Sequence, residues 1–74
     1  MNDFEMTMVW DFATKGAEQM GWVPYLLGLD DQLCCAQYYL LDIIEQVGAH
    51  TPTGKRWERL YGKIQKKREE LRGA

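Results

Sequence analysis

Residues 30–47 read DDQLCCAQYYLLDIIEQV and contain the clearest helical pattern in the chain. Asp30 or Asp31 can cap the start of a helix, and Gly48 supplies a stop. Between them, apolar residues recur at spacings of three and four, which predicts a helix over about 31–47. The stripe consists of Leu33, Ala36, Leu40, Ile43, Ile44 and Val47, widened by Cys34, Tyr39 and Leu41. A helix this broadly apolar is usually central, so we expect it to pack against two neighbours, or against one neighbour and a second copy of the chain.

A second helix is predicted over about 55–72, after a loop of turn residues at 48–54. Its apolar face consists of Trp57, Leu60, Tyr61, Ile64 and Leu71. The opposite face, which we call the basic stripe, consists of Lys55, Arg56, Arg59, Lys63, Lys66 and Lys67. Like charges four residues apart destabilise a helix by ~0.2 to 0.5 kcal/mol per pair, so an anion bound to the stripe would relieve this repulsion.

Residues 3–12 fit two patterns. Large apolar residues alternate with polar or smaller ones, as in a half-buried strand. A helical stripe is present as well, formed by Phe4, Met8, Phe12, Ala13, Ala17 and Met20. We favour the helix, because a strand needs a partner and no other segment has a convincing strand pattern. A strand here would have to pair between two protomers.

The expected fold is therefore all-α: a small helical bundle in one domain over residues 1–74, forming a homodimer through the wide apolar face of the helix at 31–47. Eight side chains are assigned to the core or the dimer interface: Leu33, Leu40, Ile43, Ile44, Val47, Trp57, Leu60 and Ile64. A chain of 74 residues is near the lower limit for a stable single core, which favours association. Cys34 and Cys35 are adjacent, a poor geometry for a disulfide, so we expect free thiols in a reducing compartment.

One segment has the spacing of a catalytic motif. Residues 48–55 match the GxxxxGK pattern of a phosphate-binding loop, but Arg56 stands where a Ser or Thr should hold magnesium. The chain is also too short for the parallel sheet that such a loop follows, so we interpret the segment as a turn capped by Thr51 or Thr53. His50, the only histidine, has no ligand at metal-binding spacing and lies roughly 20 Å along the helix from the cysteines. We predict no enzyme activity, no metal and no cofactor.

Charge divides the chain in two. Residues 1–50 carry eight acids and one base, a net charge of −7, whereas residues 51–74 carry eight bases and three acids, a net charge of +5. The basic stripe then has three interpretations: it pairs with the chain's own acids, such as Asp42, Glu45 or the N-terminal group; it binds an acidic protein; or it binds nucleic acid phosphates. The acidic remainder weighs against the third interpretation.

Residues 21–29 are unusually apolar for a connector, and Pro24 can begin a short helical turn there. We favour a role for Trp22, Leu26 and Leu29 in capping the core; the alternative is an exposed aromatic patch for a partner. The candidate partner-binding residues are Trp22, Tyr25, Arg56, Arg59, Lys63, Lys66 and Lys67.

The sequence thus predicts a non-catalytic adaptor or inhibitor that binds a protein partner with an acidic surface. Proteins of this kind are common among the accessory proteins of bacteria and phages. The alternative is a nucleic-acid-binding module that uses the basic helix at 55–72. The N-terminus is acidic, unlike a secretory signal, and Asp and Gln interrupt every apolar run, so we expect a cytoplasmic protein without a membrane partner.

Overall fold

The computed structural model describes residues 2–73, which form three α-helices and one short 3₁₀ turn. Helix α1 spans Asp3–Gln19, the 3₁₀ turn spans Pro24–Leu26, α2 spans Leu29–Val47 and α3 spans Pro52–Gly73. The prediction of an all-α fold is confirmed, and so is the choice of helix over strand for residues 3–12. Within residues 2–73 there is no strand.

Two helix starts differ from the predicted ones. Helix α2 begins at Leu29 behind Gly28, which has no side chain to cap with, so the prediction that Asp30 or Asp31 caps it is wrong. Both carboxylates lie in its first turn, where the positive end of the helix dipole favours them. Helix α3 begins three residues before the predicted start at 55, because the Thr51 Oγ1 accepts a hydrogen bond from the Gly54 N–H at 2.9 Å.

The start of α1 and the end of α2 follow from local chemistry. The Asn2 Oδ1 caps α1 by accepting a hydrogen bond from the Glu5 N–H at 2.8 Å. Gly48 ends α2, as predicted, with a φ of +89° that an L side chain rarely adopts.

Helix α2 is central and packs against both α1 and α3. Five of the predicted core side chains are buried: Leu33, Leu40, Ile44, Leu60 and Ile64. Ile43 and Trp57 are half-buried, and Val47, at 38% exposed, lies outside the core. Helices α1 and α3 cover the buried members of the α2 stripe within one protomer, whereas Leu41 and Val47 remain 47% and 38% exposed. Pairing of two copies through this face stays a prediction.

Helices α1 and α2 approach closely at Gly16. A Cβ atom at this position would overlap the backbone carbonyl of Cys35, so only glycine fits without displacing α2. Near the same contact, the Phe12 ring lies 5.7 Å from Tyr39 and 5.4 Å from Trp57, measured between ring centroids. Phe12 therefore joins α1 to both other helices.

A polar network joins α2 to α3 near the C-terminal end of α3. Gln37, only 3% exposed, accepts a hydrogen bond from Arg68 Nη1 at 2.7 Å and donates one to Gln65 Oε1 at 3.0 Å. Arg68 Nε also donates to Asp30 Oδ1 at 3.0 Å, and Arg72 pairs with the same carboxylate at 3.5 Å. The hydrogen bond from Arg68 holds the pKa of Asp30 below its usual value. These contacts fix how α2 and α3 pair, and they occupy two bases that lie outside the basic stripe.

Candidate functional site

A groove of about 270 Å³ lies between the N-terminal part of α1 and the basic side of α3. Its apolar floor is formed by Phe4, Met8, Trp57 and Leu60. Three bases of α3 stand around this floor, namely Arg56, Arg59 and Lys63. We call this site the basic groove. Apolar surface and cationic groups meet here within one concave site.

The floor of the basic groove results from helix geometry. Phe4 and Met8 are four residues apart on α1, and Trp57 and Leu60 are three apart on α3, so each pair lies on one face of its helix. Leu60 is buried and Trp57 is half-buried, whereas Phe4 is 65% exposed. The Trp57 ring is held edge-on against Phe12 of the core. The floor of the basic groove is therefore partly exposed to solvent, and its Trp57 side is packed against Phe12.

Lys63 is the one stripe base with an ion-pair partner within residues 2–73. Its Nζ donates to the Glu5 Oε1 across the groove, and this hydrogen bond lowers the pKa of Glu5. Glu5 is one of the N-terminal acids with which the basic stripe was expected to pair if it is neutralised within the chain. Asp42 instead accepts a hydrogen bond from the Gln46 side chain, and neither Asp42 nor Glu45 pairs with the stripe in the described part of the chain.

The remaining five bases of the stripe are exposed and make no ion pair with any residue from 2 to 73: Lys55, Arg56, Arg59, Lys66 and Lys67. The Arg56 guanidinium lies 5.8 Å from the centroid of the Trp57 ring, close enough for a cation–π contact that orients it at the edge of the groove. Internal pairing therefore accounts for one stripe base out of six within the described chain.

The basic surface continues beyond the groove in both directions along α3. Arg56 and Arg59 also line a second depression of about 490 Å³ with His50, Pro52 and Lys55. At the other end, Lys63 lines a third depression with Lys66 and Lys67, bordered by Glu5 and Glu70. From residue 55 to 67 the bases extend about 18 Å along the helix axis.

Trp22 and Tyr25 are not part of the basic groove. Trp22 and Tyr25 are 47% and 78% exposed, and Leu26 and Leu29 are 73% and 46% exposed. Trp22 and Leu26 are exposed and do not cap the core as predicted, whereas Leu29, although 46% exposed, borders a small cavity beside Val9 and Leu33 of the core. Trp22, Val23 and Leu26 line a separate shallow depression of about 390 Å³. The structure thus divides the candidate partner-binding residues between two surfaces.

Phe4 and Met8 are not among the site residues predicted from the sequence. Both belong to the predicted helical stripe of residues 4–20, but the stripe alone does not show which of its members contact the core and which line a groove.

No group of three or more potential metal ligands occurs within the described residues. None of the helices between residues 2 and 73 is both long enough and apolar enough to cross a bilayer. Comparison with protein-family models, curated proteins and solved structures finds no match to this chain.

Proposed function

We propose that this protein is a non-catalytic interaction module, an adaptor or inhibitor, that binds an acidic segment of a protein partner in the basic groove and works as a homodimer. The observation that supports this proposal most strongly is that Arg56 and Arg59 lie beside the apolar floor, where they are exposed and make no ion pair within residues 2–73. The proposal places the protein in the cytoplasm, as an accessory protein of the bacterial or phage kind.

A protein segment fits the groove better than an isolated anion, because the floor is apolar. A segment with a leucine or aromatic side chain between carboxylates would bury that side chain against Phe4 and Trp57. Its carboxylates would meet Arg56 and Arg59, whose planar guanidinium groups can each hold a carboxylate by two hydrogen bonds. Aromatic and arginine side chains are also the residue types that most often dominate binding energy at protein interfaces.

The proposal is tested by selection from a random peptide library displayed against the immobilised protein. We expect the enriched peptides to carry acidic residues around an apolar side chain. Arg59→Glu should weaken their binding at least about tenfold, because it places a negative charge beside the bound carboxylates. Lys15→Glu is the matched control: it makes the same change in net charge on α1, outside the residues that line the groove. Enrichment of neutral or basic peptides, or equal weakening by both variants, would contradict the proposal.

Nucleic acid binding is the second candidate, and the observation that favours it is the row of exposed bases extending about 18 Å along α3. The two candidates differ in their use of the groove floor. Phosphate contacts give a linear fall in log affinity with log salt on any DNA or RNA sequence, and Phe4→Ala should leave them unchanged. An acidic peptide bound in the groove should lose affinity in both Phe4→Ala and Arg59→Glu.

A further inference from the structure

The segment around the 3₁₀ turn differs from the rest of the surface in its lack of charge. Residues 19–29 are the longest stretch of the chain without a charged side chain. Five large apolar side chains of this segment are exposed, and Leu29, at 46%, lies at the start of α2. The other four form what we call the apolar patch: Trp22 at 47%, Val23 at 42%, Tyr25 at 78% and Leu26 at 73%. Exposed apolar clusters of this kind usually mark an interaction site.

The absence of charge restricts which partner the patch suits. In a dimer with a two-fold axis, the same surface of both copies meets, so every charge near the axis faces its own image. The basic groove cannot pair with itself in this way, because Arg56 and Arg59 of the two copies would repel each other. The apolar patch can, since it has no charged member. Asp31 alone brings a charge to the depression lined by Trp22 and Leu26.

The area of the patch is also sufficient for a small dimer. Taking about 200 Å² for an aromatic side chain and about 100 Å² for Leu or Val, the four exposed fractions sum to roughly 370 Å² of apolar surface. Interfaces are about 60% apolar, so a contact centred here would bury roughly 600 Å² per copy. The total of about 1,200 Å² lies at the lower end of the range of specific protein interfaces.

We propose that the apolar patch is the face through which two copies of this chain pair about a two-fold axis. This inference rests on the homodimer proposed above and names its surface. None of the described residues that line the basic groove belongs to the patch. The dimer therefore keeps two open grooves and can engage two acidic segments at once, which raises avidity without any new contact.

The test is sedimentation of the full chain from low to high micromolar concentration. The wild-type protein should reach twice its monomer mass of 8.7 kDa. Tyr25→Asp should raise the dissociation constant of the dimer at least about tenfold, because it places a charge opposite its own image in an apolar contact. Phe4→Asp is the matched control, since it makes a similar change at a side chain that is 65% exposed and lines the groove, and it should leave the dimer intact. Circular dichroism of each variant checks that the helices remain.

Three results would overturn the inference in distinguishable ways. A wild-type chain that stays monomeric at high micromolar concentration removes both the dimer and its surface, while the groove proposal stands on its peptide test. A wild-type dimer that persists in both Tyr25→Asp and Leu26→Asp removes the patch and keeps the dimer. A monomer that binds neutral phosphatidylcholine vesicles in a Tyr25-dependent way assigns the patch to lipid instead.

Dimerisation through the apolar patch and peptide binding in the basic groove should depend differently on salt concentration. Raising the salt from about 50 mM to about 500 mM should tighten the dimer or leave it unchanged, because it screens the repulsion between the two copies of Asp31. The same change should weaken binding of acidic peptides in the groove. A dimer that dissociates steeply with added salt depends on opposite charges and contradicts pairing through the apolar patch.

Discussion

Replacing Gly16 with alanine tests the close approach of α1 to α2. In the interior of an exposed helix, Gly→Ala raises the free energy of unfolding by about 1 kcal/mol, because alanine loses less backbone freedom on folding. At Gly16 the added Cβ overlaps the Cys35 carbonyl, which belongs to the backbone of α2 and cannot rotate away. Overpacking costs typically ~1 to 3 kcal/mol, and we expect the upper part of that range against backbone. We therefore expect Gly16→Ala to lower the free energy of unfolding by about 1 to 2 kcal/mol.

Gly62→Ala is the matched control, since Gly62 lies inside α3 and a Cβ there meets nothing within 4 Å apart from its chain neighbours and the nearby backbone of its own helix. This variant should gain about 1 kcal/mol, so the same substitution has opposite signs at the two sites. For a chain of this size, 1 kcal/mol corresponds to about 4 to 8 °C in Tm, and the two variants should differ by roughly 10 °C or more. Thermal and urea unfolding followed by circular dichroism measure both quantities. If Gly16→Ala is as stable as Gly62→Ala, then α1 and α2 do not approach as described.

Three further predictions follow from the polar network and the thiols. Asp30→Asn should flatten the fall in Tm below about pH 4. Arg68 lowers the folded-state pKa of Asp30, so the ion pair stabilises the fold at neutral pH, and this contribution is lost as the pH falls through that pKa. An unchanged dependence of Tm on acid pH would contradict the pairing. Gln37→Leu should lower the free energy of unfolding by about 1 to 3 kcal/mol in urea titrations, because the Arg68 Nη1 loses its acceptor, whereas a neutral result would mean that water replaces the amide. A maleimide should label Cys34 well before Cys35 in the native protein, since Cys35 is fully buried and burial raises the pKa of its thiol; equal rates would refute the described burial.

The two long helices could be predicted because their apolar residues repeat with the period of a helix. Residues 3–12 were ambiguous for a physical reason. Helix α1 buries small or branched side chains such as Val9 and Ala13, whereas Phe4 and Trp10 remain 65% and 51% exposed. The largest apolar residues therefore do not mark its buried face, and their spacing fits a strand as well as a helix.

The candidate site was less predictable than the fold. The basic stripe follows from the sequence of α3 alone, but the groove depends on Glu5 and Lys63, which are 58 residues apart and meet only because α1 packs beside α3. The exposure of Trp22 and Leu26 was also hidden, because an apolar connector can either close a core or project from it. In both cases the missing information is the relative placement of helices, which no local pattern contains.

NMR titration tests whether an acidic segment binds in the basic groove. Backbone amide and indole signals of the protein are followed as a peptide with leucine or phenylalanine between glutamates is added. We expect the largest shift changes at Phe4, Met8, Trp57 and Arg59. Arg59→Glu should abolish these changes, and Lys15→Glu should not. Shift changes confined to Trp22 and Tyr25, or no change at low salt, would contradict binding in the basic groove.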